Sequence, residues 1–328
     1  MWSAGAGEVA SPAVSTASHR HAPPDTTRRP ITLDRRRLLR NGALGLGAAA
    51  LGGMVVACAE ESGPEAEGVD AGPDQRLQAL FPRDIAYVPA ATPFRLPYTL
   101  IDAEGVPLAE IDGPATFTVR FDGEQVGDAE VVEVHDDGVP RPYLPLMVTF
   151  PRPGLYDIEA EVAGEVLTSQ VQVLTPDRVE QPQVGAALPP AETATPGRSF
   201  EVDPICTATP QCPFHEVNLS DVIGTGVPVV VLLATPAYCR TTACGPILDL
   251  LIEEAGGRED LVVIHSEVYE NPKAVADLRQ ATLAPLPRTY RMGWEPTLFV
   301  TDSASTLVAR GDIVVDRVEM RQMLDLAV

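Results

Sequence analysis

Basic side chains are scarce in this chain. Its 328 residues hold 24 Lys+Arg against 46 Asp+Glu, a formal net charge of -22, and Lys273 is the only lysine. So acidic a molecule repels phosphate backbones, which argues against nucleic acid as a partner. Aromatic residues are few as well, 5% of the chain, with Trp2 and Trp294 the only tryptophans. Hydrophobic residues still make up 45%, enough for ordinary cores. Cysteine is missing from the whole stretch 59–205, so any sheet structure there has no internal disulfide. Long apolar runs are missing too. The weak Gly/Ala-rich run Gly42 to Ala57 spans 16 residues, short of the roughly 20 a spanning helix needs. No later segment is long and apolar enough.

The length suggests about two domains, preceded here by a processing segment. Residues 1–57 combine a polar lead, SPAVSTASHRHAPPDTTRRP, with DRRRLLRNGALGLGAAALGGMVVAC. Arg35, Arg36 and Arg37 followed by Leu38, Leu39 and Arg40 resemble a twin-arginine export signal. The end of that run, Val55-Val56-Ala57-Cys58, resembles a bacterial lipobox, which implies lipidation of Cys58 and a membrane anchor on the extracytoplasmic face of the cell membrane. Residues 58–81, beginning AEESGPEAEGVDAGPD after the cysteine, read as an acidic, disordered tether. Residues 1–57 carry seven of the arginines and three of the acids, leaving 17 basic and 43 acidic residues and a net charge of -26 on the remainder. Such a body stands off from anionic headgroups.

Five cysteines, 58, 206, 212, 239 and 244, are an odd number for an exported protein. Lipidation of Cys58 leaves two close pairs, in a compartment where disulfides persist. Short loops give a disulfide little entropic value, so close pairs are more interesting as switches than as staples.

Residues 82–175 read as an all-β sandwich. PFRLPYTLID, ATFTVRFDG, AEVVEVHDDG, YLPLMVTF, GLYDIEAEVAG and LTSQVQVL are short alternating runs between Gly, Pro and Asp turns. GLYDIEAEVAG resembles a late strand of an immunoglobulin-like domain, with Tyr156 in a corner role. His135, beside Asp136 and Asp137, reads as part of a solvated turn. The domain shows no chemistry of its own and reads as a spacer or docking module. A Pro-rich linker, 176–200, reads as semi-extended and uncored.

The pattern changes over 201–328. NLSDVIG is a short helix. GVPVVVLLA is a continuous β-branched run of the kind buried on both faces of a sheet. GPILDLLIEEA places apolar residues at 247, 248, 250, 251 and 252, a helical stripe. LVVIHSEV is a second buried strand, NPKAVADLRQATL a helix with Pro272 in its first turn, and PTLFVTD with TLVARGDIV a hairpin around DSAS. DRVEMRQMLDLA closes as a helix, with Asp316 and Glu319 spaced as a capping box.

This β-α-β-α-β-β-α order, with cysteines where the first strand meets its helix, resembles the thioredoxin fold over about 120 residues, Cys206 to Val328. The expected architecture is thus multidomain: an immunoglobulin-like sandwich followed by an α/β thioredoxin-like domain. The resemblance also rests on GWEPTLFV, where Pro296 matches the cis-proline that faces the redox cysteines. It implies thiol-disulfide exchange with thiols or disulfides of other exported proteins, and a membrane electron donor as a further partner. Cys239 would attack, Cys244 would resolve and Pro296 would present backbone to the substrate. Tyr238, Arg240, Trp294, Glu295 and Thr297 would line its groove, and no cofactor is called for. The spacing departs from the family: four residues, Arg240 to Ala243, separate the two cysteines instead of two, and Gly245-Pro246 follows the second. Cysteines five apart do not share a helix face, so the pair closes only if the loop bends. A thiol at a helix N-terminus is stabilised as thiolate, and Arg240 adds positive charge.

Other readings compete. The pair can be an inert staple in a binding or scaffold lipoprotein. Thr235-Pro236 resembles an atypical peroxiredoxin motif, but that motif places Thr three residues before the cysteine and Thr235 lies four before Cys239. A Sco-type copper chaperone also has two cysteines and a distant histidine, yet His265 is not where that ligand falls and reads as a buried or rim histidine without a metal. In DPICTATPQCPFHEV, residues Cys206, Cys212 and His215 form three parts of a zinc or copper site with no obvious fourth ligand. The favoured expectation is a Cys206–Cys212 disulfide closing the loop, with no metal; a relay of electrons between the two pairs is the alternative.

Overall fold

Among the described residues the first half holds nine strands: β1 (Gln75–Ala79), β2 (Val88–Pro89), β3 (Pro93–Asp102), β4 (Ala115–Phe121), β5 (Glu124–Gln125), β6 (Glu130–Val132), β7 (Leu144–Thr149), β8 (Gly154–Val162) and β9 (Glu165–Leu174). The computed structural model describes residues 75–83, 85–239 and 241–328. The export signal with Arg35 and Arg36, the lipidation site Cys58 and the groove candidate Arg240 lie outside these residues. One sheet has the order β1-β3-β7 and the other β2-β9-β8-β4-β5, with β6 on β4. Apart from the short parallel β2–β9 contact the pairing is antiparallel. Alternation sets the faces: Tyr156, Ile158 and Ala160 of β8 are buried, while Leu155 is 52% exposed. The Tyr156 hydroxyl donates to the Arg152 carbonyl at 2.8 Å, the corner expected of it. The tether expected to reach residue 81 ends earlier, because Gln75–Ala79 pairs with β3 along its whole length.

The second half contains α1 (Leu219–Val222), β10 (Val229–Leu233), α2 (Cys244–Ala255), β11 (Val262–Ser266), α3 (Pro285–Thr289), β12 (Thr297–Thr301), β13 (Leu307–Asp312) and α4 (Arg317–Asp325). Its sheet has the order β11-β10-β12-β13; β10 and β11 are parallel and the other pairs antiparallel. Every residue of β10 is buried, which explains the unbroken VVVLL. Val230 and Leu232, with Leu298 and Val300, pack under Ile247, Leu248 and Leu251 of α2 and Met320 and Leu324 of α4. Val229, Val231 and Leu233 face the other way, into a core shared with the sandwich.

That shared core corrects the expectation of a spacer joined through an uncored linker. The described residues, from Gln75 to Val328, belong to one compact unit. Trp294 packs against Tyr87 with ring centroids 4.5 Å apart and the planes tilted by 47°. Buried Arg95 of β3 reaches both carboxylate oxygens of Glu319 on α4, at 2.7 and 2.6 Å, and the carbonyls of Asp312 and Val314. Residues 176–200 are a strap rather than a spacer. Gly185 donates to the Leu307 carbonyl, Leu307 to Ala186, and Leu188 to Ser305, at 2.8 to 2.9 Å. Leu188, Ala191 and Thr193 of the strap are buried.

The expected helix NPKAVADLRQATL does not form either. Two single 3-10 turns, Pro272–Ala274 and Leu278–Gln280, stand there, and only Pro272 of these turns is buried. The sandwich already covers the sheet face against which a helix would bury its stripe. The excursion is closed at its base by the Glu270 amide donating to the Thr282 carbonyl at 2.9 Å.

Candidate functional site: two cysteine centres at the strand ends

Cys239 and Cys244 are joined by a disulfide with Cα atoms 6.0 Å apart. The loop bends as the spacing requires. β10 ends at Leu233, Cys239 lies outside the helix, and Thr242 adopts φ 59° just before α2 begins at Cys244. The two sulfurs are unequal: Cys239 is half-buried, whereas Cys244 is fully buried at the N-terminus of α2. There the free amides and helix dipole favour negative charge on its sulfur. Thr241 Oγ1 lies 3.2 Å from Cys239 Sγ.

Glu295 is the third member of this centre. Its carboxylate and both sulfurs lie within 4.8 Å of one another, and Cys244 Sγ is 3.5 Å from Glu295 Oε2. The same oxygen accepts from the Thr235 amide at 2.6 Å. Burial pushes the carboxyl up to about 7, against the lowering effect of the Thr235 bonds. Sequence reasoning placed Glu295 in the groove by its position beside Pro296. Its burial against Cys244 depends on a contact across 51 residues that no local pattern encodes. The Glu295–Pro296 peptide is cis, as the resemblance implies.

Two other groove candidates do not line an open groove. Trp294 is 8% exposed and donates through Nε1 to Asp312 Oδ1 at 3.0 Å. Thr297 is fully buried and donates to the same oxygen at 3.0 Å. Both serve the core between sheet and sandwich, because Asp312 and Arg310 form a buried ion pair there. Tyr238 is half-buried in the turn before Cys239, its amide donating to the Thr235 carbonyl. A cavity of about 380 Å³ runs beside the disulfide loop, lined by Thr241, Thr242 and Ala243 on one side and Leu80, Pro140 and Arg141 of the sandwich on the other.

The second pair differs from expectation. Cys206 and Cys212 are free thiols, both buried, with no disulfide between them. His265, on β11, points into the same place. Its Nδ1 is 3.3 Å from Cys212 Sγ, 3.8 Å from Cys206 Sγ and 3.2 Å from His215 Nε2. His215 Nε2 is 3.2 Å from Cys212 Sγ. The hydrogen bond the two thiols share lowers the Cys206 thiol and raises the Cys212 one. Sequence reasoning found three of these four residues. It missed His265 as their companion because the histidine lies 50 residues beyond His215; the signal available was a histidine directly after the apolar run Val262–Ile264 of a strand. His135 is likewise no solvated turn: its Nδ1 pairs with Asp316 Oδ1 at 2.9 Å. Burial works against its charge, but the Asp316 bond and charge outweigh it and raise its pKa.

Among the described residues no helix is long and apolar enough to cross a membrane. No protein family and no curated protein matches the chain. Similar solved structures include FdeC, an Escherichia coli adhesin, at 17% identity over 31% of this chain and 32% of that one, TM-score 0.22. Invasin, a bacterial integrin-binding protein, is 16% identical over 31% and 19%, TM-score 0.21. A titin immunoglobulin tandem is 12% identical over 31% and 49%, TM-score 0.20. The chain thus spans about a third and a fifth of the first two. Overlaps this slight carry no argument, and the β-sandwich rests on its own strand pairing.

Proposed function

We propose that the chain is a thiol-disulfide oxidoreductase, a thioredoxin-like half fused to an immunoglobulin-like sandwich and held by a lipid on Cys58 at the extracytoplasmic face of the membrane. The observation that carries the reading is the asymmetry of Cys239–Cys244: one sulfur reachable, the other buried at a helix N-terminus against an elevated carboxyl. The strand order β11-β10-β12-β13, with α2 and α4 on one face, supports the thioredoxin-like half, and the Tyr156 corner supports the immunoglobulin-like one.

In the oxidising direction a client thiolate attacks Cys239 Sγ. The Cys239–Cys244 bond breaks and its electron pair leaves on Cys244, where the amides of α2 stabilise it and protonated Glu295 supplies a proton. The second client thiolate then attacks the client sulfur of the mixed disulfide and releases Cys239 as thiolate. Two electrons pass from the client dithiol to the pair; the two protons lost by the client thiols go to solvent, from which Glu295 and the Cys239 thiolate are reprotonated. In the reverse direction Glu295 takes the proton from Cys244 as it attacks. The cavity beside Thr241–Ala243 receives the client chain flanking its cysteine, which gives the sandwich a share in the site. The test is a trap: Cys244→Ser should hold client proteins as mixed disulfides on Cys239, visible on non-reducing gels and lost with Cys239→Ser. Absence of any adduct overturns the reading.

A second reading, a scaffold with a permanently closed staple, is favoured by the complete burial of Cys244; a reduction potential below about −300 mV would establish it. The peroxidase alternative loses ground because Thr235 is fully buried and its hydroxyl accepts from the Val268 amide. The copper-chaperone alternative loses ground because His265 faces Cys206 and Cys212.

A further inference from the structure

Three donors in one irregular loop and a fourth on a strand converge on a single point. Cys206, Cys212 and His215 sit in a segment without helix or strand, yet all three are buried, as is His265 on β11. The ligand atoms lie within 4.8 Å of one another. Bond lengths of 2.3 Å to sulfur and 2.0–2.1 Å to nitrogen place the corners of a tetrahedron roughly 3.3 to 3.8 Å apart. Four of the six separations here are 3.2, 3.2, 3.3 and 3.8 Å. The outer nitrogen of His265, Nε2, is 2.9 Å from the Ala234 carbonyl and donates to it. That bond fixes the tautomer and leaves Nδ1 as a bare lone pair aimed at the sulfurs, as metal-ligating histidines are usually held.

We propose that Cys206, Cys212, His215 and His265 bind one zinc ion as a closed structural centre. Two thiolates and two imidazoles at tetrahedral spacing suit zinc. The set is complete at four and buried, with no open position for a substrate, so the ion is structural. Its work is to fasten the 203–217 segment onto the ends of β10 and β11. Hydrogen bonds run alongside it: the His265 backbone amide donates to the Phe214 carbonyl at 2.9 Å, and the Thr207 amide to the Glu267 carboxylate at 2.6 Å. Thr207 Oγ1 in turn accepts from the Ala237 amide at 3.1 Å, two residues before Cys239. Metal ligation also withholds both thiols from exchange with the neighbouring disulfide. The inference stands on these four residues alone and is independent of what Cys239–Cys244 does.

The test uses the full chain, purified without chelator, with metals measured by mass spectrometry. One zinc per chain is expected. The Cys239→Ser/Cys244→Ser double variant should keep that zinc, and Cys212→Ser or His265→Gln should lose at least nine-tenths of it. Since variants at buried ligands can simply misfold, the unaltered chain supplies the second readout. Stripped of metal and titrated with cobalt(II), it should develop the visible absorption of a tetrahedral thiolate site, abolished by one equivalent of zinc. Cys206 and Cys212 should resist alkylation until a chelator is added. A chain that takes up no zinc or cobalt, copper recovered in place of zinc, or a Cys206–Cys212 disulfide in the metal-supplied protein overturns the proposal.

Discussion

Glu295 carries the most chemistry of any single residue. Its folded pKa, about 7, lies above that of an ordinary glutamate because burial disfavours the charged form. The carboxyl therefore binds its proton more tightly folded than unfolded. The stability that proton contributes is complete below the usual carboxyl range and is lost as pH rises through about 7. Thermal melts of the unaltered chain between pH 5 and 8 should show this decline, and Glu295→Gln should make it shallower, leaving the shares of His135 and of Glu267, whose carboxyl burial raises to about 8. The same variant removes the acid-base partner of Cys244, so its exchange rate should fall about 10²-fold and lose its inflection near pH 7. A variant that keeps the wild-type rate and profile would restrict Glu295 to packing. His135 acts in the same sense. Asp316 raises its pKa, so its contribution is present below the ordinary histidine range and lost as pH climbs past the raised value. His135→Gln should therefore cost stability at pH 6 and little at pH 9, as denaturant titration at the two pH values will show.

Among the elements, those with a local reason were legible in the sequence. VVVLL reads as a doubly buried strand because it lacks alternation, and Val229–Leu233 is one. The stripe of GPILDLLIEEA becomes α2, and Asp316 caps α4 by accepting from the Glu319 amide at 2.8 Å. The other half of that capping box is absent, since the Glu319 carboxylate is taken by Arg95 and Tyr143 instead. Elements set by distant partners were not legible. Gln75–Ala79 looks like tether until it meets β3, and the 176–200 strap looks uncored until it meets β13. The helical stripe of 271–283 is real in sequence but has no surface left to cover. This last point is measurable. Ala276 is exposed between the two 3-10 turns, so Ala276→Gly should change stability by less than about 0.5 kcal/mol. A loss near 1 kcal/mol, the cost of glycine in a helix interior, would mean that the helix forms after all. Of the candidate site, the Cys239–Cys244 pair was visible from spacing. Of the second grouping, Cys206, Cys212 and His215 were visible in one short stretch, whereas His265 was not, because it shares with them only a place in three dimensions.

At the scale of the whole molecule, the sandwich takes the place of a covering layer on one face of the second sheet. The bond between the halves includes a buried ion pair, Arg95 with Glu319, to which Tyr143 and Asp316 are attached through the Tyr143 hydroxyl. Removing one partner of such a pair costs about 3–5 kcal/mol, because the other charge is left buried and alone. Glu319→Ala should therefore destabilise the chain by about that amount. Because the core is continuous, unfolding followed by Trp294 fluorescence and by far-ultraviolet circular dichroism should give one coincident transition; two separated transitions would mean independent domains. The central claim concerns the disulfide at the mouth of this assembly. It is tested most directly by equilibrating the full chain in graded glutathione buffers, alkylating, and mapping each cysteine by mass spectrometry. The account predicts that Cys239–Cys244 titrates between about −120 and −270 mV, the span of known exchange proteins. A pair that stays closed down to about −300 mV would contradict it and make the disulfide a staple.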